Sequence, residues 1–422
     1  METTPQLKIR SIEEFDYQGK TVILRVDINS PLDPDTKRIV NENRINMSLP
    51  TIAYLLEHGA KVAMIAHQGD TLDYQNLIPL KEHAEKLTEK LGVAVGYIDD
   101  VAGPAAQAAV KNLQPGQAVI LGNLRYLCEE ISTFEEAVKL TAPEMLNTYL
   151  IRNLAPLADY YVNDAFAAAH RNAPSMVAFQ ELLPSAAGFL FFNEVSALTK
   201  VLDSPERPAV FVLGGAKISD AYGMMQQVLS NGTADKILAC GVTGIVMLMA
   251  KGYHFGQATE KFLKDRSLDA FLEPSKAYLR EYGDKFVLPV DLACEQNGVR
   301  VEVELDRLPV DDALFPDIGQ KTIALFKEQL GKAGTLFVNG PAGMYENPLF
   351  EDGTRETLKA IAGADGYSVI GGGDSVSATH KYVDPQQMNY ICTAGGAMVR
   401  FLSGKKLPLI QAMENAYSRN EE

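Results

Sequence analysis

The chain has 422 residues, 46% hydrophobic and 22% charged, a balance that supports sizeable packed cores and, at roughly 100–200 residues per domain, two or three domains. Its formal net charge of -15 excludes nucleic acid and anionic membrane as partners drawn in by the overall field, so an anionic ligand has to be held by a few locally placed cations. Cys128, Cys240, Cys294 and Cys392 lie far apart with no C-x-x-C pair, which argues against a zinc site or disulfide framework and for reduced thiols. The first residues, Met1 to Lys20, are polar and lack a signal-peptide core. No stretch approaches the roughly 20 apolar residues of a membrane span. A cytoplasmic protein is expected.

In chain order, short β-branched runs end abruptly in glycine or small polar residues, and helical stretches follow. The runs are Thr21–Val26, Val62–Ala66, Ala118–Leu121, Tyr160–Val162, Ala209–Leu213, Lys236–Ala239, Phe286–Val290, Thr335–Val338, Tyr367–Ile370 and Tyr390–Cys392. Most are continuous rather than alternating, as strands buried on both faces should be. Between them lie amphipathic segments such as Leu49–His58, closed by Gly59, and Lys81–Leu91, closed by Gly92. Strand alternating with helix predicts parallel sheets covered by helices. So many strands suit two doubly wound, Rossmann-like domains, joined by a long helix in the stretch Phe179–Leu202. The expected boundaries are 1–180 for the first domain and 181–403 for the second, with the tail 404–422 packing back on the first.

Ligands of open α/β sheets bind at the carboxyl ends of the strands. In the first half those ends carry Asp27-Ile28-Asn29, His67-Gln68-Gly69-Asp70, Asn123-Leu124-Arg125 and Asn163-Asp164, leading on to His170-Arg171, and Arg44 follows the first strand. Three arginines and two histidines suit an anionic substrate, because guanidinium binds carboxylate or phosphate bidentately. In the second half the ends read Gly214-Gly215-Ala216-Lys217, Asp291, Asn339-Gly340-Pro341, Gly371-Gly372-Gly373-Asp374-Ser375 and Thr393-Ala394-Gly395-Gly396. Glycines let backbone approach a ligand, helix N-termini offer N–H groups to phosphate, and an aspartate beside such a cradle is a natural magnesium ligand. A lone glycine triplet is a turn and a lone strand-end aspartate a helix cap; it is their concentration, segregated by type between the halves, that points to a site. No G-x-x-x-x-G-K-[ST] loop, G-x-G-x-x-G fingerprint or protein-kinase motif pair is present.

Together these residues resemble the phosphoglycerate kinase family along nearly the whole chain. The matching segments are Leu24 to Asn29 with Pro31, Asn43-Arg44-Ile45, Asn123-Leu124-Arg125, Val162 to Phe166 with Ala169-His170-Arg171, Leu213 to Lys217, Asn339-Gly340-Pro341 with Glu346, and Gly371 to Ser375. The alanines before His170 and Ala221 after the single Lys217 look like archaeal forms. The resemblance implies phosphoryl transfer between ATP and 3-phosphoglycerate in glycolysis and gluconeogenesis, with Mg2+ accompanying ATP or ADP and domain closure bringing the substrates together. It implies that Asp27 and Asn29 bind the hydroxyl region, that Arg44 orients the reacting carboxylate, and that His67, Arg125 and Arg171, with His170 nearby, hold the distal phosphate. On the nucleotide side, Lys217 would follow the transferred group. Asn339 would contact phosphates and Glu346 the ribose. Gly371, Gly372, Gly373 and Ser375 would cradle phosphate, and Asp374 would bind the metal. Members are monomers or homodimers.

One departure bears on the substrate. Where the family carries His-x-Gly-Arg, this chain has His67-Gln68-Gly69-Asp70, and no arginine stands between Arg44 and Arg125. A lost charge-assisted hydrogen bond costs about 1.5–3 kcal/mol, roughly 10- to 100-fold in affinity. Ile28, Ala394, Arg400 and the segment Cys240 to Gly244 also depart from the family pattern. Two other readings stay open: a kinase of this fold acting on another small carboxylate, and a non-catalytic nucleotide-binding regulator, against which Arg44, Lys217 and Asp374 argue.

Overall fold

The computed structural model describes residues 8–69 and 76–419. The chain forms two compact units, one running to Ser196 and resuming at Lys406, the other spanning Ala197–Lys405. The first unit holds strands β1 (Thr21–Arg25), β2 (Lys61–Ile65), β3 (Val95–Tyr97), β4 (Ala118–Ile120), β5 (Tyr160–Asn163) and β6 (Ser185–Ala187). They form one parallel sheet in the order β3-β4-β2-β1-β5-β6. Val22, Ile23 and Leu24 of the central β1 are all fully buried, so both faces of that strand are covered, which is why its sequence runs apolar without alternation. The tail helix Pro408–Arg419 packs on this unit: Leu409 N donates to Ala169 O at 3.2 Å and Arg419 Nη2 to Gln180 O at 2.9 Å.

The second unit holds β7 (Ala209–Leu213), β8 (Lys236–Ala239), β9 (Phe286–Val287), β10 (Asp291–Gln296), β11 (Val299–Glu304), β12 (Asp317–Ile318), β13 (Thr335–Asn339), β14 (Tyr367–Gly371) and β15 (Tyr390–Ile391). Six make a parallel sheet, β15-β14-β13-β7-β8-β9, and three an antiparallel one, β11-β10-β12. Register fixes where the loops emerge. Leu213 lies opposite both Asn339 and Ala239, and Asn339 opposite Gly371. The loops after β7, β8, β13 and β14 therefore leave the sheet at one level.

Several elements differ from the sequence expectation. The stretch 179–202 is not one helix. It holds a 3-10 turn at Phe179–Glu181, strand β6, and then the helix Phe189–Asp203. Pro184 has no N–H to continue a helix, and Ser185–Ala187 pair instead with Tyr161–Asn163. The first unit accordingly extends to Ser196, within that helix, rather than ending at residue 180. The first amphipathic helix begins at Asn43, not Leu49, and carries Pro50 inside it. The hairpin β10-β11 turns on Asn297 and Gly298, both at positive φ (54° and 79°), the geometry of a two-residue turn. Asp291 opens β10, and its carboxylate is held by the start of the next helix. Its carboxylate accepts from Thr322 N at 2.7 Å and Lys321 N at 3.0 Å, capping the helix Gln320–Leu330.

Asp164, at the end of β5, plays a similar part for the helix Phe189–Asp203. Its Oδ1 accepts from Phe191 N at 3.1 Å, and the carboxyl group is fully buried. Burial raises its pKa to about 6. The native state holds the proton more tightly than the unfolded chain, so the contribution is full below pH 4 and is lost as pH rises to 6. Asp164→Asn is therefore expected to gain stability relative to wild type between pH 4 and pH 7, by about 2–3 kcal/mol. Denaturant unfolding of both proteins at the two pH values checks this; a constant difference would contradict it.

Candidate active site

In the first unit the strand ends enclose a cavity of about 250 Å3 lined by Asp27, Asn29, Arg44, His67, Arg125, His170 and Arg171, with Gly69, Ala167 and Ala168. The substrate residues expected from the sequence meet here. Each cation is anchored. Arg44 stands in the first turn of the helix Asn43–Glu57 and its Nη1 donates to Asp27 Oδ2 at 2.6 Å. Arg125 Nη1 donates to Glu130 O at 2.6 Å, and Arg171 Nε to Glu135 Oε2 at 2.7 Å. Asn123 ties two loops together: its Oδ1 accepts from Gln68 N and Arg125 N, both at 3.1 Å, and its Nδ2 donates to Gln68 O at 2.9 Å. Asn29 Oδ1 accepts from Gly69 N at 3.0 Å. These bonds fix donors in place before a ligand arrives, which lowers the cost of ordering them on binding. Asp70, where the family pattern breaks, lies outside the described residues.

Beneath this cavity lie residues the sequence reading did not single out. Arg25, the last residue of β1, is 3% exposed and its Nη2 meets His67 Nδ1 at 2.8 Å. Glu130 is buried and accepts from Ser175 N at 2.7 Å and Ser175 Oγ at 2.6 Å. Burial, and then the charges of Arg25, Arg125, Arg44 and Arg171, hold His67 well below an ordinary histidine pKa, so its ring is neutral at physiological pH. The available signal was an arginine inside an otherwise apolar strand, which needs a buried partner.

In the second unit, Gly214, Gly215, Lys217, Asp220, Asn339, Gly340, Gly372, Gly373 and Asp374 line a cavity of about 150 Å3, with Ala216 and the residues Gly395, Gly396 and Val399. The helices Ile218–Ser230, Gly373–Tyr382 and Gly395–Leu402 begin at or beside it, so unpaired N–H groups collect around the space. Next to it is a larger cavity of about 340 Å3. Its wall is mostly apolar (Val242, Ile245, Phe262, Leu314, Phe315 and Met344 among others), and Asp374 and Glu346 also line it. Arg266, which sequence reasoning also missed, stacks over Phe262 at this wall, 4.2 Å from the ring centroid. Beside Glu346, Tyr345 O accepts from Lys381 Nζ at 3.0 Å and Tyr382 Oη at 3.1 Å. Two expected residues stand behind the cavity wall. Gly371 ends β14 against Met398, whose Sδ would be 2.0 Å from an added Cβ. Ser375 is buried, and its Oγ accepts from Gly340 N at 2.8 Å, so the hydroxyl holds the neighbouring loop.

Asp374, exposed in the first turn of its helix, and Asp220 are the carboxylates beside the smaller cavity. Among the described residues no group of three or more His, Cys, Asp or Glu side chains could hold a metal ion. That donor set fits a magnesium ion sharing its shell with nucleotide phosphates, since such ions use one or two carboxylates and substrate oxygens.

Close packing between loops shapes this site. Gly340 has φ +89°, and a Cβ there would fall 2.2 Å from Gly214 O. Gly340→Ala is expected to weaken nucleotide binding at least tenfold and lower Tm, through left-handed strain of about 1–2 kcal/mol plus displacement of the Gly214 loop. Calorimetric titration with Mg-ADP checks it. Unchanged affinity and Tm would show that the loops need not touch.

The family model described as phosphoglycerate kinase matches residues 12–405. The chain is 39% identical to the phosphoglycerate kinase of Methanothermus fervidus, over 98% of this chain and 99% of the relative. It is 41% identical to that of Methanococcus maripaludis, over 97% and 99%. The solved phosphoglycerate kinase of Pyrococcus horikoshii superposes with a TM-score of 0.86 at 36% identity, covering 97% of this chain and all of that one. The Coxiella burnetii structure gives 0.82 at 30%, covering 96% and 99%. With its paired α/β units and strand-end residues, the chain belongs to the phosphoglycerate kinase family.

Proposed function

We infer that this protein transfers a phosphoryl group reversibly between ATP and the carboxylate of 3-phosphoglycerate, with ADP and 1,3-bisphosphoglycerate as the other pair. The observation that carries this reading is the division of labour between the cavities: anchored cations in one unit, a glycine-lined ring of helix N-termini with one lysine in the other. A cytoplasmic role in glycolysis and gluconeogenesis goes with that activity. Among the described residues no helix is long and apolar enough to cross a membrane.

Phosphoryl transfer asks the protein for position and charge stabilisation rather than for a nucleophile. In the proposed arrangement Arg125, Arg171 and neutral His67 donate to the distal phosphate, and His170 lies beside them. Asp27 and Asn29 bind the hydroxyl region. Arg44 is held by Asp27 at 2.6 Å and orients the acceptor carboxylate. The backbone N–H groups of Gly372, Gly373 and Asp374 and the side chain of Asn339 bind nucleotide phosphates, with Gly371 and Ser375 shaping the cradle from behind. Glu346 binds the ribose, and the apolar wall around Ile245 and Phe315 takes the base. A magnesium ion at Asp374 would neutralise phosphate charge. Lys217 follows the transferred group. Excluding water while the acyl phosphate exists protects it from hydrolysis.

Asp70 favours a second reading, a kinase of this fold whose acceptor lacks the distal phosphate. One assay separates the two: acyl-phosphate formation from Mg-ATP with 3-phosphoglycerate or with unphosphorylated carboxylates, coupled to a dehydrogenase that consumes the product. Vigorous turnover of 3-phosphoglycerate is expected. In the same assay Lys217→Ala should lower kcat by about 10^2–10^3-fold, with nucleotide affinity changed far less. Turnover confined to an unphosphorylated acid would overturn the first reading.

A further inference from the structure

We propose that Arg25, Ser175 and Glu130 are positioning residues that lock His67 as a hydrogen-bond donor, with its ring proton on Nε2, toward the anionic end of the acceptor. The inference deepens the reading above and rests on it for the identity of the acceptor. Arg25 is outside the lining of the 250 Å3 cavity, and so are Ser175 and Glu130. What they do to the substrate passes through the residues that line the cavity, His67 above all.

The direction of every hydrogen bond that Arg25 makes in this buried chain is forced. Glu130 accepts at both carboxylate oxygens, from Ser175 N at 2.7 Å and Ser175 Oγ at 2.6 Å. The serine hydroxyl proton is thereby committed to the carboxylate, and its oxygen is left to accept from Arg25 Nε at 3.4 Å. Arg25 also donates through Nη1 to Val26 O and through Nη2 to His67 Nδ1, the last at 2.8 Å. Guanidinium has five donors and no acceptor. His67 Nδ1 must therefore present a lone pair, and a neutral imidazole with its lone pair at Nδ1 carries its proton at Nε2. The opposite tautomer would set N–H against N–H. A doubly protonated ring would add a charge amid Arg25, Arg125, Arg44 and Arg171, against the burial that already disfavours it.

The same glutamate serves the cavity a second time. Glu130 O accepts from Arg125 Nη1 at 2.6 Å. One buried residue thus orients a histidine through its side chain and an arginine through its backbone. The result is a row of committed donors, suited to an acceptor-only terminus such as phosphoryl oxygens and unsuited to an ammonium.

The test is a long-range 15N–1H correlation spectrum of the intact, 15N-histidine-labelled protein at pH 7, with His67 assigned by its loss in His67→Gln. The expected pattern is neutral imidazole protonated at Nε2, with the Nε2 signal moving on addition of inorganic phosphate. Ser175→Ala should raise KM for 3-phosphoglycerate about tenfold, the loss of one hydrogen bond to an anion, with KM for ATP unchanged and the tautomer signal mixed. Arg25→Lys, which keeps a donor at Nδ1, should preserve the tautomer. An Nδ1-protonated or imidazolium ring in the wild-type protein overturns the proposal, whether or not the variants fold. So does an equal rise of both KM values in Ser175→Ala. Because the spectrum needs no turnover, a protein that shows the Nε2 tautomer but leaves 3-phosphoglycerate untouched upholds the positioning role and sinks only the acceptor assignment.

Discussion

Parallel pairing in register is the constraint on which the rest depends. Once Leu213 is opposite both Asn339 and Ala239, and Asn339 opposite Gly371, four chains must leave the sheet side by side and turn away without colliding. Only bare backbone fits. A Cβ on Gly214 would lie 2.5 Å from Pro341 O, and one on Gly241 would lie 2.8 Å from Gly215 N. The glycines that solve this packing problem also leave N–H groups uncovered at the helix starts, and those groups are what a phosphate needs. Packing and proposed binding arise from one feature.

The first unit meets the same geometry differently. Its strand ends lie level too, with Arg25 opposite both Ile65 and Asn163, but they carry side chains rather than glycines. The difficulty there is electrostatic. Arg44, Arg125 and Arg171 share one cavity and Arg25 sits below it. Like charges held this close repel unless each has a partner, and the structure supplies Asp27, the Glu130 carbonyl, Glu135 and the Glu130–Ser175 pair. The net charge of -15 is a background that leaves this local concentration of cations as the place for an anion.

Much of this was legible in the sequence. The ten apolar runs are strands, the helix Lys81–Leu91 has the expected bounds with Gly92 in the left-handed region, and Asp27, Asn29, Arg44, His67, Arg125, His170 and Arg171 share a cavity. What was not legible depends on tertiary partners. Ser185–Ala187 has no strand propensity of its own and is a strand because Tyr161–Asn163 offers it an edge. Asp291 reads as a strand-end ligand until Thr322 is seen above it. Ser375 reads as a phosphate contact, and only the fold shows that its oxygen also accepts from Gly340 N and holds the neighbouring loop. Arg25 hides in a strand, and no local pattern says that a histidine dozens of residues on will be its partner. The hairpin β10-β11 is the exception: its alternation from Val299 to Glu304 and its Asn297-Gly298 turn are local signals, set within a chain otherwise patterned for parallel strands.

The most direct measurement is a crystal structure of the protein with 3-phosphoglycerate and Mg-ADP. The account predicts the distal phosphate within hydrogen-bond reach of His67 Nε2, Arg125 and Arg171, with the nucleotide phosphates over Gly372 to Asp374 in the second unit. A distal phosphate bound away from those three residues, or an acceptor cavity that stays empty at saturating 3-phosphoglycerate while Mg-ADP binds, would contradict it.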